Sequence, residues 1–252
     1  MLAAFAAGAV NAIAGGGTLL TFPSLMGALT PLTGDSALAA VLANGTSTTA
    51  LVPGTIAGAW GFRSQFRAMW PWFLALIGPS LVGSALGTLL VILYPRAFDS
   101  LVPWLILTAA VLFLAQPLVR KLRRGRDADP PRTWGRVLGI GLFQFAVALY
   151  GGYFGAGIGI LMLSGLGLLG ISNILEMNAL KNVLAAAINA TSCVLWIANG
   201  QVAWEYAAPM ALASILGGLL SAHFAQKVPP TLVRWLVIAI GFALAGYYFF
   251  RG

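Results

Sequence analysis

Lys181 stands next to Asn182 inside a long apolar stretch. An ammonium beside an amide can hold an anion, because both offer N–H donors. Where such a stretch crosses a bilayer, a cation within it is a functional hypothesis by default. Two structural explanations compete with an anion site. The long side chain can reach a nearby membrane surface, or it can pair with Glu176 five residues earlier. At helical spacing Asn178, Asn182, Asn189 and Cys193 form a stripe bordered by Lys181. A second polar stripe runs through Asn44, Thr48 and Thr55, within the run Asn44-Gly45-Thr46-Ser47-Thr48-Thr49. Small and hydroxylated residues also let helices approach and bond, and Ser and Thr can bond back to their own helix. An amide in lipid needs several partners, which favours a polar cavity for the asparagines.

Enzyme chemistry has little to work with. The only acids are Asp35, Asp99, Asp127, Asp129, Glu176 and Glu205, all at or near the ends of apolar segments. The only histidine is His223 and the only cysteine Cys193, so no internal disulfide forms. No carboxylate pair, metal-ligand spacing or Cys/His dyad falls within a segment. The expectation is no catalytic residue, no metal and no cofactor. The run Gly155-Ala156-Gly157-Ile158-Gly159 is not a dinucleotide loop, since no strand precedes it and no βαβ acid follows.

The elements that must position Lys181 and the asparagines are membrane helices. Of 252 residues, 60% are hydrophobic and 8% charged, against about 25% charged in a soluble domain. No charge occurs between Arg136 and Glu176 or between Lys181 and Glu205. Each gap is long enough for a spanning helix of roughly 20 residues. Eight apolar segments can be drawn, at 2–30, 37–61, 69–94, 98–119, 136–171, 174–199, 206–226 and 230–250. The fold class is therefore an all-α polytopic membrane protein.

Two of these segments are broken by glycine, at Gly15-Gly16-Gly17 and at Gly155-Ala156-Gly157. An offset of 140 carries the first break onto the second, Ser24 onto Ser164 and Gly27 onto Gly167. An offset of 138 carries Asn44 onto Asn182, and one of 134 carries Gly83 onto Gly217. The ordered matches predict an internal duplication of four segments each. The first repeat is 1–119, a basic loop is 120–135 and the second repeat is 136–252. Freed backbone survives in a membrane only where protein or a watery cavity satisfies it. If helices restart near Thr18 and Ile158, their positive ends point into the protein. Those ends, with Asn44, Asn182 and Lys181, describe an anion site. Close packing is the competing explanation for the glycines, and it suits Gly83-x-x-x-Gly87 better than three in a row.

The net charge of +8 does not point to nucleic acid. Seven of the 14 basic residues are Arg120, Lys121, Arg123, Arg124, Arg126, Arg132 and Arg136, in one loop. That loop is expected on the cytoplasmic side, facing an anionic leaflet. Charge leaves open whether the broken segments span, giving parallel repeats, or turn back as re-entrant hairpins, giving inverted ones. No cleaved signal is expected.

The stretch from Asn11 to Pro23, Asn-Ala-Ile-Ala-Gly-Gly-Gly-Thr-Leu-Leu-Thr-Phe-Pro, closely resembles the first signature of the sulfite exporter TauE/SafE family, also called the 4-toluene sulfonate uptake permease class. Ala43-Asn-Gly-Thr-Ser47 and Gly58-Ala-Trp60 fit that family's second helix. Gly151 to Gly159 fits the signature's second copy, and Lys181-Asn182 the helix after it. The resemblance covers the whole chain. It implies a permease for small sulfur-bearing anions such as sulfite or organosulfonates, in a bacterial inner membrane. The partners implied are that anion and the lipid bilayer, without nucleic acid; a homo-oligomer is compatible with them. The substrate-binding set expected is Asn11, Gly15, Gly16, Gly17, Thr18, Asn44, Thr46, Ser47, Thr48, Gly155, Gly157, Lys181, Asn182 and Asn189. A passive anion channel, or a transporter of another small organic anion, would use the same groups.

Overall fold

A computed structural model describes residues 2–14, 16–123, 134–168, 174–224 and 230–251. Gly15 and most of the basic loop lie outside them. Within the described residues the chain is helical, without strands. The order is α1 (Leu2–Ala14), α2 (Thr18–Thr33), α3 (Ser36–Gly61), α4 (Arg63–Phe66), a short 3-10 turn (Arg67–Met69), α5 (Trp70–Leu93), α6 (Pro95–Arg123), α7 (Trp134–Tyr153), α8 (Ile158–Leu168), α9 (Ile174–Ala198), α10 (Trp204–Phe224) and α11 (Pro230–Arg251). Three stretches are long and apolar enough to cross a membrane, Arg63–Leu93, Pro95–Pro117 and Leu175–Ala198. The expected segments 2–30 and 136–171 are each divided into two helices, α1/α2 and α7/α8.

The burial pattern of α5 identifies its solvent. Its buried face carries Ser80, Gly83, Ser84, Gly87 and Thr88. Its exposed face carries Leu74, Leu81, Val82, Leu86, Leu90 and Leu93. A helix in water would reverse this, with leucines inside and hydroxyls outside. Small residues inside and large apolar ones outside suit a helix in lipid. The small residues permit close contact with α7. A Cβ on Gly83 would stand 2.5 Å from the Phe145 carbonyl oxygen, and one on Gly87 would overlap the Leu149 carbonyl. Hydroxyls then bond across the contact. Gln144 Nε2 donates to Ser80 Oγ at 2.9 Å, and Thr88 Oγ1 donates to the Gly152 carbonyl at 3.1 Å. Ser80 meets Gln144 and Thr88 meets Gly152, so α5 and α7 run in the same sense.

Both glycine breaks fold their segment back on itself. A Cβ on Gly17 would lie 2.6 Å from the Ala7 carbonyl oxygen. In one continuous helix those residues would be about 15 Å apart. Gly165 packs on the Phe143 ring, although the two would be about 33 Å apart along a straight helix. So α1 and α2 form one hairpin, and α7 and α8 form another. α3 and α9 cross in opposite senses: Gly45 faces Trp196 near the end of α9, while Thr55 shares a cavity with Lys181 near its start.

Candidate functional site

The two hairpin tips meet the crossing helices α3 and α9. There Asn11, Thr18, Thr48, Leu51, Thr55, Gly155, Ile158, Gly159, Lys181, Asn182, Ala185 and Asn189 enclose a cavity. Each contribution follows from local geometry. Thr48, Leu51 and Thr55 share a face of α3 at i, i+3 and i+7, and Lys181, Ala185 and Asn189 share one of α9 at i, i+4 and i+8. Thr18 opens α2, and Ile158 and Gly159 open α8. In α8 the helical bonds begin with Ile160 N–H donating to the Gly157 carbonyl at 3.0 Å, and in α2 with Leu19 N–H donating to Gly16 at 3.1 Å. The N–H groups of Thr18, Ile158 and Gly159 therefore precede the ladders, at the positive ends of the two helices. The cavity holds about 20 Å³, room for roughly one water.

Lys181 is 1% exposed, and its Nζ has no hydrogen-bond partner among the described residues, Glu176 included. It does not reach a surface. The start of α9 is covered: Met177, Leu180 and Leu184 pack in one apolar cluster with Met69 and, at its edge, Phe66. The Nδ2 of Asn182 is also buried without a partner. The Lys181 amino group and an amide donor thus stand unsatisfied on the wall of a polar cavity into which two helix N-termini open. Among the described residues no carboxylate lines that wall. Buried donors of this kind are costly unless something accepts from them. Asn11 Nδ2 donates to Thr55 Oγ1 at 2.8 Å, and Thr55 Oγ1 donates to the Leu51 carbonyl at 2.9 Å, so these two are held by each other.

Of the residues expected at the site, Asn11, Thr18, Thr48, Gly155, Lys181, Asn182 and Asn189 are brought together. Six others are placed elsewhere. Asn44 donates through Nδ2 to the Tyr153 carbonyl at 2.9 Å and so ties α3 to the end of α7. Thr46 Oγ1 accepts from Ala203 N–H at 2.9 Å, and Ser47 bonds Thr21 at 2.5 Å. Gly16 packs on Phe113, Gly17 on Ala7 and Gly157 beside Leu112. Gly15 lies outside the described residues. Thr55 was visible in the α3 stripe but not expected on the wall. Leu51, Ile158, Gly159 and Ala185 have no polar signal to mark them.

A sequence model of the sulfite exporter TauE/SafE family matches residues 1–248. The chain belongs to this family. A probable membrane transporter protein of Haemophilus influenzae is 30% identical over 244 residues, covering 95% of this chain and 89% of the relative. One from Sinorhizobium is 25% identical over 254 residues, covering 97% and 88%. The probable membrane transporter protein YfcA of Escherichia coli K12 is 26% identical over 239 residues, covering 94% and 83%. No solved structure matches the TauE/SafE chain significantly. Family and relatives together indicate an integral membrane transporter.

Proposed function

We propose that this TauE/SafE protein is a secondary transporter for a small sulfur-containing anion such as sulfite or a short organosulfonate. The observation that carries the reading is the unpartnered Lys181 Nζ beside the unpartnered Asn182 amide, on a cavity wall without a carboxylate. An oxyanion would accept from both and from the first N–H groups of α2 and α8. The family's description favours sulfite among such anions. At one-water size the cavity suits a closed, empty state, which widens to take the anion as one part of the molecule rocks against another in an alternating-access cycle.

Two hairpins entering from opposite sides make the halves inverted repeats. The loop that holds α4 and the basic loop then face the cytoplasm, together with Lys227 and Arg234. That arrangement sets eleven basic residues inside against Arg96 and Arg251 outside. The membrane is the bacterial inner membrane.

The test is uptake of labelled sulfite into proteoliposomes holding the wild-type chain. Saturable uptake, with counterflow when the lumen is preloaded with unlabelled sulfite, is expected. Non-saturating flux with large unitary currents would assign the protein to anion channels instead.

A further inference from the structure

The cavity has a charge imbalance that bears on coupling. Lys181 is enclosed, its Nζ has no partner, and the wall offers no compensating acid. Every helix packed around it says the same. α1, α2, α3, α5 and α8 carry no titratable side chain. α7 carries Arg136, Tyr150 and Tyr153, α4 and the turn after it Arg63 and Arg67, and α9 itself Glu176 and Cys193. Among the described side chains, none of these lines the cavity. The Tyr150 hydroxyl already donates to the Ala156 carbonyl at 2.7 Å, and Arg63 lies over the Trp60 ring.

An isolated buried ammonium is costly, and either an anion that accepts from it or the loss of its proton relieves that cost. A bound monoanion reverses the balance, since it pairs the ammonium and completes its hydrogen bonds. We propose that Lys181 is the proton carrier of the transport cycle: the empty site holds the neutral amine, and each monovalent anion enters with one proton that binds Nζ. The proton comes from the water on the side where the anion enters. It leaves Nζ, with the anion, on the other side. The loaded site is neutral, and so is the empty one, so neither crossing moves net charge through the low-dielectric interior. Cotransport by this route needs no carboxylate on the cavity wall. The inference rests on the anion site proposed above.

The test uses the whole chain and methanesulfonate, a sulfonate that keeps its single negative charge throughout and so brings no proton of its own. Titration calorimetry in buffers of different ionisation heat counts the protons taken up per anion bound. Wild type is expected to take up close to one. Lys181→Arg keeps its charge at any accessible pH; it is expected to bind the anion with no proton uptake. In proteoliposomes, wild type is expected to accumulate methanesulfonate several-fold when the lumen is alkaline, and this needs no variant to fold. Methanesulfonate transport that moves no protons, or proton uptake by Lys181→Arg equal to that of wild type, overturns the inference and leaves the anion site standing. A wild type that carries neither sulfite nor methanesulfonate overturns the transport reading itself, and this inference with it.

Discussion

Gly17 and Gly157, at matching places in the two breaks, are required for opposite reasons. In the first, Gly17 has φ −57° and ψ −33°, a helical conformation open to any residue, but the Ala7 carbonyl leaves no space for a Cβ. In the second, Gly155 and Gly157 have φ of 83° and 81°, which L side chains rarely adopt. There the space is ordinary: a Cβ on Gly157 would meet Leu112 at 3.4 Å. Among the described glycines, Gly17 is therefore held to closeness and Gly157 to handedness. Identical letters at matching positions do not imply identical physical demands.

The largest expected effect separates these two causes. Gly17→Ala must push a backbone carbonyl away, and overpacking of this kind costs about 1–3 kcal/mol. Gly17→Asn, which is larger still, is expected to be worse. At Gly157 the order reverses. Gly157→Ala forces a left-handed conformation at a cost of about 1–3 kcal/mol, and Gly157→Asn costs less because Asn tolerates it. Thermal unfolding of the four purified variants in one detergent checks the crossing. Equal ranking of Ala and Asn at the two sites would remove the distinction.

The next comparison sets Asn44 against Asn182, at matching positions in the two halves. Asn44 Nδ2 is tied to the Tyr153 carbonyl, whereas Asn182 Nδ2, on the cavity wall, has no partner among the described residues. Asn44→Ala leaves that buried carbonyl without its donor and is expected to cost about 1–3 kcal/mol of stability. Asn182→Ala is expected to leave stability nearly unchanged and to raise the sulfite concentration for half-maximal uptake about tenfold. Unfolding curves and uptake kinetics on both variants separate the two roles. A smaller effect is expected from Thr55→Val, which deprives Asn11 of its acceptor. It should lower stability by about 1 kcal/mol in the same unfolding assay.

Much of this was legible in the sequence. Glycines interrupting apolar segments marked both breaks, and the restarts at Thr18 and Ile158 followed from where the glycines end. The direction of each arm was not legible, because hydropathy has no sign along the chain and the basic residues satisfied both topologies. The depth of Lys181 was equally hidden. It depends on Met69 and Phe66 folding over the start of α9, from more than a hundred positions away. Asn44, Thr46 and Ser47 looked like wall residues because their chemistry suits one. Each instead bonds a group distant in sequence, Tyr153, Ala203 or Thr21, although Asn44 Oδ1 has no partner among the described residues.

The central claim is that Lys181 and the helix ends around it hold an anion. The most direct measurement is sulfite binding to purified wild type and Lys181→Ala, both with native helicity by circular dichroism. The account predicts saturable binding by wild type and at least a tenfold loss in the variant, since a charged partner is worth about 1.5–3 kcal/mol. Equal sulfite affinity in the two folded proteins would contradict it.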